Sequence, residues 1–171
     1  MRQTAWVVMG VSGCGKSAVG ARLALALGVR FIEGDAFHPP ENVAKMSAGV
    51  PLDDADRRGW LATLRKEIAR AMEAGESVVL SCSALKRAYR NILRGNGGDV
   101  RFVHLIGDRD LIAQRMAARP GHFMPLSLLD SQLRDLEPLQ PDEAGITLDL
   151  RDPPDRLVEQ ALAAMRDKRP D

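Results

Sequence analysis

Gly10-Val11-Ser12-Gly13-Cys14-Gly15-Lys16-Ser17 is the stretch that decides how this chain folds. It fits the phosphate-binding loop pattern G-x-x-x-x-G-K-[ST], which works at a turn from a strand into a helix. The flanks supply that setting. Ala5-Trp6-Val7-Val8-Met9 reads as a buried strand, while Val19, Leu23 and Leu27 read as one face of a helix closed by Gly28. Glycine at 10, 13 and 15 permits backbone angles that a side chain forbids, so successive N–H groups can face one concavity at a helix N-terminus. Lys16 then reaches the outer phosphates, and the Ser17 hydroxyl is suited to ligate Mg²⁺. An accidental glycine-rich turn is the alternative, and the strand and helix on either side argue against it.

The bulk composition narrows the class. A chain of 171 residues, 45% apolar and 27% charged, is expected to form a single domain spanning residues 1–171 with a proper core. A net charge of +1 creates no field that recruits nucleic acid or anionic membrane. Two cysteines, Cys14 and Cys82, point to a reducing cytosol rather than a disulfide scaffold. No apolar run approaches a membrane span, and Met1-Arg2-Gln3-Thr4 leads straight into the first strand, leaving no room for a signal peptide. The expectation is a cytoplasmic protein without nucleic-acid or membrane partners.

Short apolar runs alternate with amphipathic stretches along the chain. Arg30 to Glu33 reads as a second strand, ending in Gly34-Asp35 and a Pro-bearing segment, His38-Pro39-Pro40. A helix begins near Asp54 to Asp56, buries Leu61, Leu64, Ile68 and Met72, and stops at Gly75. Ser77 to Ser81 is a third strand, Ala84 to Arg94 a helix, and Val100 to Ile106 a fourth strand. Helices follow near Asp110 to Arg119 and around Leu129, Leu133 and Leu136, then a strand from Ile146 to Leu150. A last helix starts at Pro153 or Pro154. This alternation predicts an α/β three-layer sandwich around a parallel sheet, with ligands at the carboxyl ends of the strands.

Polar residues at those ends are the candidates for chemistry. Asp35 can take a proton from a substrate hydroxyl as its oxygen attacks a γ-phosphate. Glu33, two residues earlier, shares its strand face and can hold Mg²⁺ through water. Arg115 and Arg119, one helical turn apart before Pro120-Gly121, suit a lid over ATP, one stacking on adenine and the other neutralising the transferring phosphate. Lys86, Tyr89 and Arg90 share a helix face and, with Arg57, can hold an anionic substrate; solvated surface charge is the alternative. His38 and His122 stand in polar loops where they can hydrogen-bond a polyol, whereas His104 sits in mid-strand. The histidines lack metal-ligand spacing with each other or the cysteines, which argues against structural zinc. Cys14, at a helix N-terminus, is expected to have a lowered pKa and to be shielded from alkylation by ATP. No Asn-Lys-x-Asp is present for reading guanine, and Asp-x-x-Gly at Asp56–Gly59 and Asp142–Gly145 follows no strand.

From Trp6 to about Met165 the chain resembles the gluconate kinase family of small P-loop kinases, related in fold to shikimate and adenylate kinases. The resemblance is carried by Gly10 to Ser17, Gly34-Asp35-Ala36-Phe37-His38-Pro39, Asn42 with Lys45-Met46, and Gly49-Val50-Pro51-Leu52. Asp56-Arg57 with Trp60-Leu61, Cys82-Ser83-Ala84-Leu85-Lys86 with Tyr89-Arg90, and Gly121-His122-Phe123 complete it. It implies ATP-dependent phosphorylation of the 6-hydroxyl of D-gluconate, a sheet order 2-3-1-4-5, a lid near residues 119–137, and a homodimer. It further implies Lys16, Asp35 and Arg119 in catalysis, with Asp35 as base. The nucleotide set would be Gly10, Ser12, Gly13, Cys14, Gly15, Lys16, Ser17 and Ala18, with Arg115 and Pro153 about the adenine. Arg57 would take the substrate carboxylate, and His38, Ser83, Lys86, Arg90 and His122 the rest of the acceptor. Ser17 and Glu33 would hold Mg²⁺, although Glu33 stands where relatives carry Asp. A shikimate-type or nucleoside-monophosphate-type acceptor would use the same phosphate machinery.

Overall fold

Ala5, Val7, Val8 and Met9 have no exposed surface, so β1 (Thr4–Met9) is covered on both faces. The computed structural model describes residues 3–95, 97–118 and 125–167. In it β1 lies at the centre of a parallel sheet with β2 (Arg30–Glu33), β3 (Val78–Ser81), β4 (Asp99–Ile106) and β5 (Gly145–Asp149), in the order β2-β3-β1-β4-β5. Val7 sits opposite Leu80 of β3 and Phe102 of β4, which sets the register at the middle of the sheet. The order and the alternation agree with the sequence reading. Burial on both faces is why the strands read as unbroken apolar runs rather than alternating ones.

Helices cover both faces. α1 (Lys16–Leu27) and α7 (Pro154–Asp167) pack on one side, and α3 (Asp54–Glu73) and α4 (Arg87–Arg94) on the other. The described residues also include α2 (Pro40–Ser47), α5 (Arg109–Ala117) and α6 (Leu126–Asp135). α3 starts on a reciprocal cap: the Asp56 N–H donates to Asp53 Oδ1 (2.7 Å), and the Asp53 N–H to Asp56 Oδ2 (3.0 Å). Its Leu61, Leu64 and Ile68 are fully buried, each worth about 1.5–3 kcal/mol of transfer free energy.

Three local expectations change. Residues 40–47 form α2, where the sequence suggested only a proline-marked break; Pro40 is a first-turn residue, a position that tolerates its missing N–H. The fifth strand ends at Asp149, and Leu150 turns into the core. α4 begins at Arg87 rather than Ala84, so Lys86 is its capping residue; its ammonium stays beside the Tyr89 ring, while Arg90 is buried away from both. The reason lies in residues 82–86, where Ala84 takes φ +44°, a left-handed angle incompatible with helix.

Arg90 stabilises that loop. It is fully buried, with Nε and Nη2 donating to Glu143 at 2.7 and 2.9 Å and Nη1 donating to the Ala84 carbonyl at 2.9 Å. Burial opposes the Glu143 charge, but hydrogen bonds from Arg90, the Gln140 N–H and Arg94 outweigh it and hold the carboxyl down at about 2. Nearby His104 is buried in β4, and neither ring nitrogen has a partner among the described residues.

Burial, assisted by the Arg90 charge, pushes His104 down to about 4. The unfolded chain takes up this proton near 6.5, so acidification from there to about 4 favours unfolding, by about 3 kcal/mol in full. The Glu143 contribution lies lower, present above 4.5 and lost as pH falls toward about 2. We expect His104→Leu to flatten urea-unfolding stability between pH 6.5 and 4.5; an unchanged slope would refute the assignment.

Candidate active site

The loop between β1 and α1 has the backbone its glycines were expected to allow, with φ of +149°, +79° and +88° at Gly10, Gly13 and Gly15. No side chain caps the N-terminus of α1, and no acidic residue lies in its first turn. The leading N–H groups at Lys16, Ser17 and Ala18 therefore stand where an anion is favoured. Lys16 Nζ donates to the Gly10 and Val11 carbonyls at 3.0 and 3.1 Å, folding its charge over the loop. Ser12 contributes its N–H to Gln132 Oε1 of α6 at 2.7 Å.

Cys14 corrects the sequence reading. Its side chain is fully buried, and burial pushes the thiol above its ordinary value; the Lys16 charge recovers only part of that. A helix N-terminus lowers a thiol pKa only when the thiol itself faces the dipole and solvent. Here the Cys14 side chain packs into the core instead.

Opposite the loop is a cavity of about 250 Å³ lined by Ser12, Lys16, Asp35, His38, Arg57 and Ser83, among others. Asp35 reaches it from a single 3₁₀ turn, Gly34–Phe37, that follows β2. That turn breaks strand alternation, so Glu33 and Asp35 do not share a face as expected. Glu33 instead accepts from the Ser81 hydroxyl at 2.7 Å and is absent from the cavity wall. Gly34 is obligatory at this crossing, since a Cβ there would fall 1.9 Å from the Ser81 carbonyl oxygen. Its own carbonyl accepts from Trp60 Nε1 at 2.8 Å.

Trp60 stacks on His38 with ring centroids 4.0 Å apart. Asn42 Nδ2 donates to the Asp56 carbonyl at 2.9 Å and faces His38 Nδ1 at 3.3 Å. That donor makes Nδ1 the acceptor, so the proton belongs on Nε2, which lies 3.8 Å from Asp35 Oδ1. Burial, with Arg57 assisting and Asp35 opposing, holds His38 below its usual value and hence neutral at pH 7. The side chain of Asp35 remains 67% exposed.

Arg57 is buried at the cavity wall, its Nη1 donating to the Tyr89 hydroxyl and to Asp135 Oδ2, both at 3.0 Å. Tyr89 in turn bonds Asp54, which takes Lys86 Nζ at 2.9 Å. Lys86 therefore reinforces the wall from behind and is not among the cavity residues. Arg90, expected at the substrate, is instead sealed against Glu143 because the true start of α4 turns it inward. On the other side of the phosphate loop, Arg115 donates to the Leu150 carbonyl, close to Pro153 at the start of α7. Arg119 and His122 lie outside the described residues, as do all of residues 119–124 in the lid expected over 119–137.

Several cavity residues carried no signal of their own in the sequence. Ser131 and Gln132 reach the cavity from α6, and Asp135 lies one turn further on. Their spacing opposite an apolar stripe marks a polar helix face but not what it faces.

The AAA domain family model matches residues 6–139. A gluconokinase of Gluconobacter oxydans is 49% identical over 156 residues, covering 91% of this chain and 88% of its own. The chain belongs to the gluconokinase family. The crystal structure of a gluconokinase from Sinorhizobium meliloti superposes with a TM-score of 0.87 at 48% identity, covering 98% of this chain and 94% of that one. A shikimate kinase from Bacteroides thetaiotaomicron, at 16% identity and a TM-score of 0.67 over 96% and 97% of the two chains, shares the fold. In this gluconokinase-family chain, Lys16, Asp35, His38, Arg57 and Ser83 meet at one cavity. Lys86, Arg90 and Glu33 do not join them.

Both thiols should be inert in the folded protein. Cys82 is also buried, its thiol pushed up to about 12 by burial. We expect iodoacetamide at pH 8 to leave Cys14 and Cys82 unmodified by mass spectrometry, and to alkylate both after denaturation. Rapid native labelling of Cys14 that ATP prevents would reinstate the lowered-pKa reading.

Proposed function

We propose that the chain transfers the γ-phosphoryl group of ATP to the 6-hydroxyl of D-gluconate, giving 6-phospho-D-gluconate and ADP. Family membership supports gluconate phosphorylation in general. The observation that carries the finer reading is that Lys16 and Asp35 line the same cavity, with Arg57 also in its wall. The loop amides and Lys16 grip the phosphates, and Arg57, already anchored through Nη1, pairs with the substrate carboxylate. The 6-oxygen bonds to the γ-phosphorus as the bond from phosphorus to the bridging oxygen breaks, leaving the electron pair on ADP. Asp35 takes the hydroxyl proton, and neutral His38 offers Nε2–H toward Asp35 or a sugar hydroxyl.

Mg²⁺ suits the oxygen donors at the loop, with Ser17 as ligand and Glu33 reaching only through water, and when bound it would neutralise phosphate charge. Among the described residues no cluster of three or more His, Cys, Asp or Glu could hold a metal, in keeping with an ion carried largely by nucleotide phosphates and water. The family resemblance supports the remaining elements of this reading: adenine between Arg115 and Pro153, Arg119 in a lid over residues 119–137, a single domain over 1–171, and a cytoplasmic homodimer.

A coupled ADP-release screen across gluconate, other sugar acids, shikimate and nucleoside monophosphates tests the acceptor, and ³¹P NMR of the product tests the position. Asp35→Asn should bind ATP as the parent does while kcat falls by about 10²-fold or more. Near-native turnover in that variant would refute the base assignment.

A further inference from the structure

Resting on the kinase reading above, we propose that Gln132 of α6 donates a hydrogen bond to the transferring phosphoryl group. The Ser12 main-chain N–H meets the Gln132 amide. An N–H can only donate, so its 2.7 Å contact fixes which end of the Gln132 amide is oxygen. The amide's other end, Nε2 with two protons, has no partner among the described residues, and it is not a buried unsatisfied group. Gln132 lines the cavity shared with Ser12, Lys16 and Asp35, so these two donors are available at the junction of nucleotide and acceptor.

The side chain is also held in advance. Asp130 takes Arg109 Nη2 at 3.1 Å, Asp135 takes Arg57 Nη1 at 3.0 Å, and the Glu137 N–H donates to the Leu85 carbonyl at 2.7 Å. α6 is thereby tied to α5, α3 and the loop before α4, while Gln132 itself is tied to the phosphate loop. Once the lid segment is docked in this way, a donor already in position stabilises the charge spread over the equatorial phosphoryl oxygens without reorganising. An acceptor oxygen alone would suffice to tether α6 to Ser12. An amide supplies that oxygen together with neutral donors.

This difference sets the test. We expect Gln132→Ala to lower kcat about 10- to 100-fold, with ATP affinity changed less than about threefold and the melting temperature preserved. Gln132→Glu keeps an oxygen for Ser12 but loses the donors, and it should be at least as slow as the alanine variant. Recovery of near-parental kcat by Gln132→Glu would overturn the proposal in favour of a tether. So would parental kcat in Gln132→Ala, or a loss confined to stability or ATP affinity. The parent protein's own acceptor profile separates the two readings: if it phosphorylates a different acceptor, the gluconate assignment fails and the Gln132 variants are judged on that acceptor.

Discussion

The burial of β1 on both faces is the constraint on which the site depends. A strand covered by helices on either side cannot shift its register without exposing apolar surface or leaving ladder groups unpaired. Met9 is therefore a fixed point, and the loop that leaves it starts from a defined place and direction. The N-terminus of α1 receives that loop with its first N–H groups uncapped. Electrostatic attraction for phosphate thus arises from main-chain groups whose positions the core sets, and Lys16 adds its charge from a side chain bonded over the loop.

The cavity wall opposite the loop obeys a different logic. Its charges are arranged in compensated sets, Arg57 with Asp135 and Lys86 with Asp54, joined through the Tyr89 hydroxyl. A buried guanidinium without a partner would be expensive, and neutralising it through one nitrogen keeps it charged and oriented. The fully buried Arg90–Glu143 pair performs a parallel service beneath Ser83, holding a loop that includes the left-handed Ala84. One arginine lines the cavity and the other braces the scaffold, although they look alike in the sequence.

That contrast shows what the sequence could reveal. The phosphate loop, the alternation and the caps at Gly28 and Gly75 are local signals, each written within a few residues, and they were legible; the sheet order came from the family resemblance. Arg90 was misread because its role depends on Glu143, more than fifty residues away, and on where α4 begins. The face that Glu33 shares with Asp35 was misread because a 3₁₀ turn ended strand alternation one residue later. Gln132 and Asp135 were invisible because nothing within α6 tells which neighbour its polar face meets. Asp35, Arg57 and His38 were found because each lies beside a local landmark, a strand end, a helix start or a proline pair.

The indole of Trp60 bonds the carbonyl that precedes Asp35 and stacks on His38 at the cavity wall. The chain has two tryptophans, and Trp6 lies on β1 against Arg101, remote from that wall. Emission from Trp60 is consequently a built-in optical gauge of this cavity, sensitive to imidazole charge and to displaced water, and a Trp6→Phe background isolates it without any added dye.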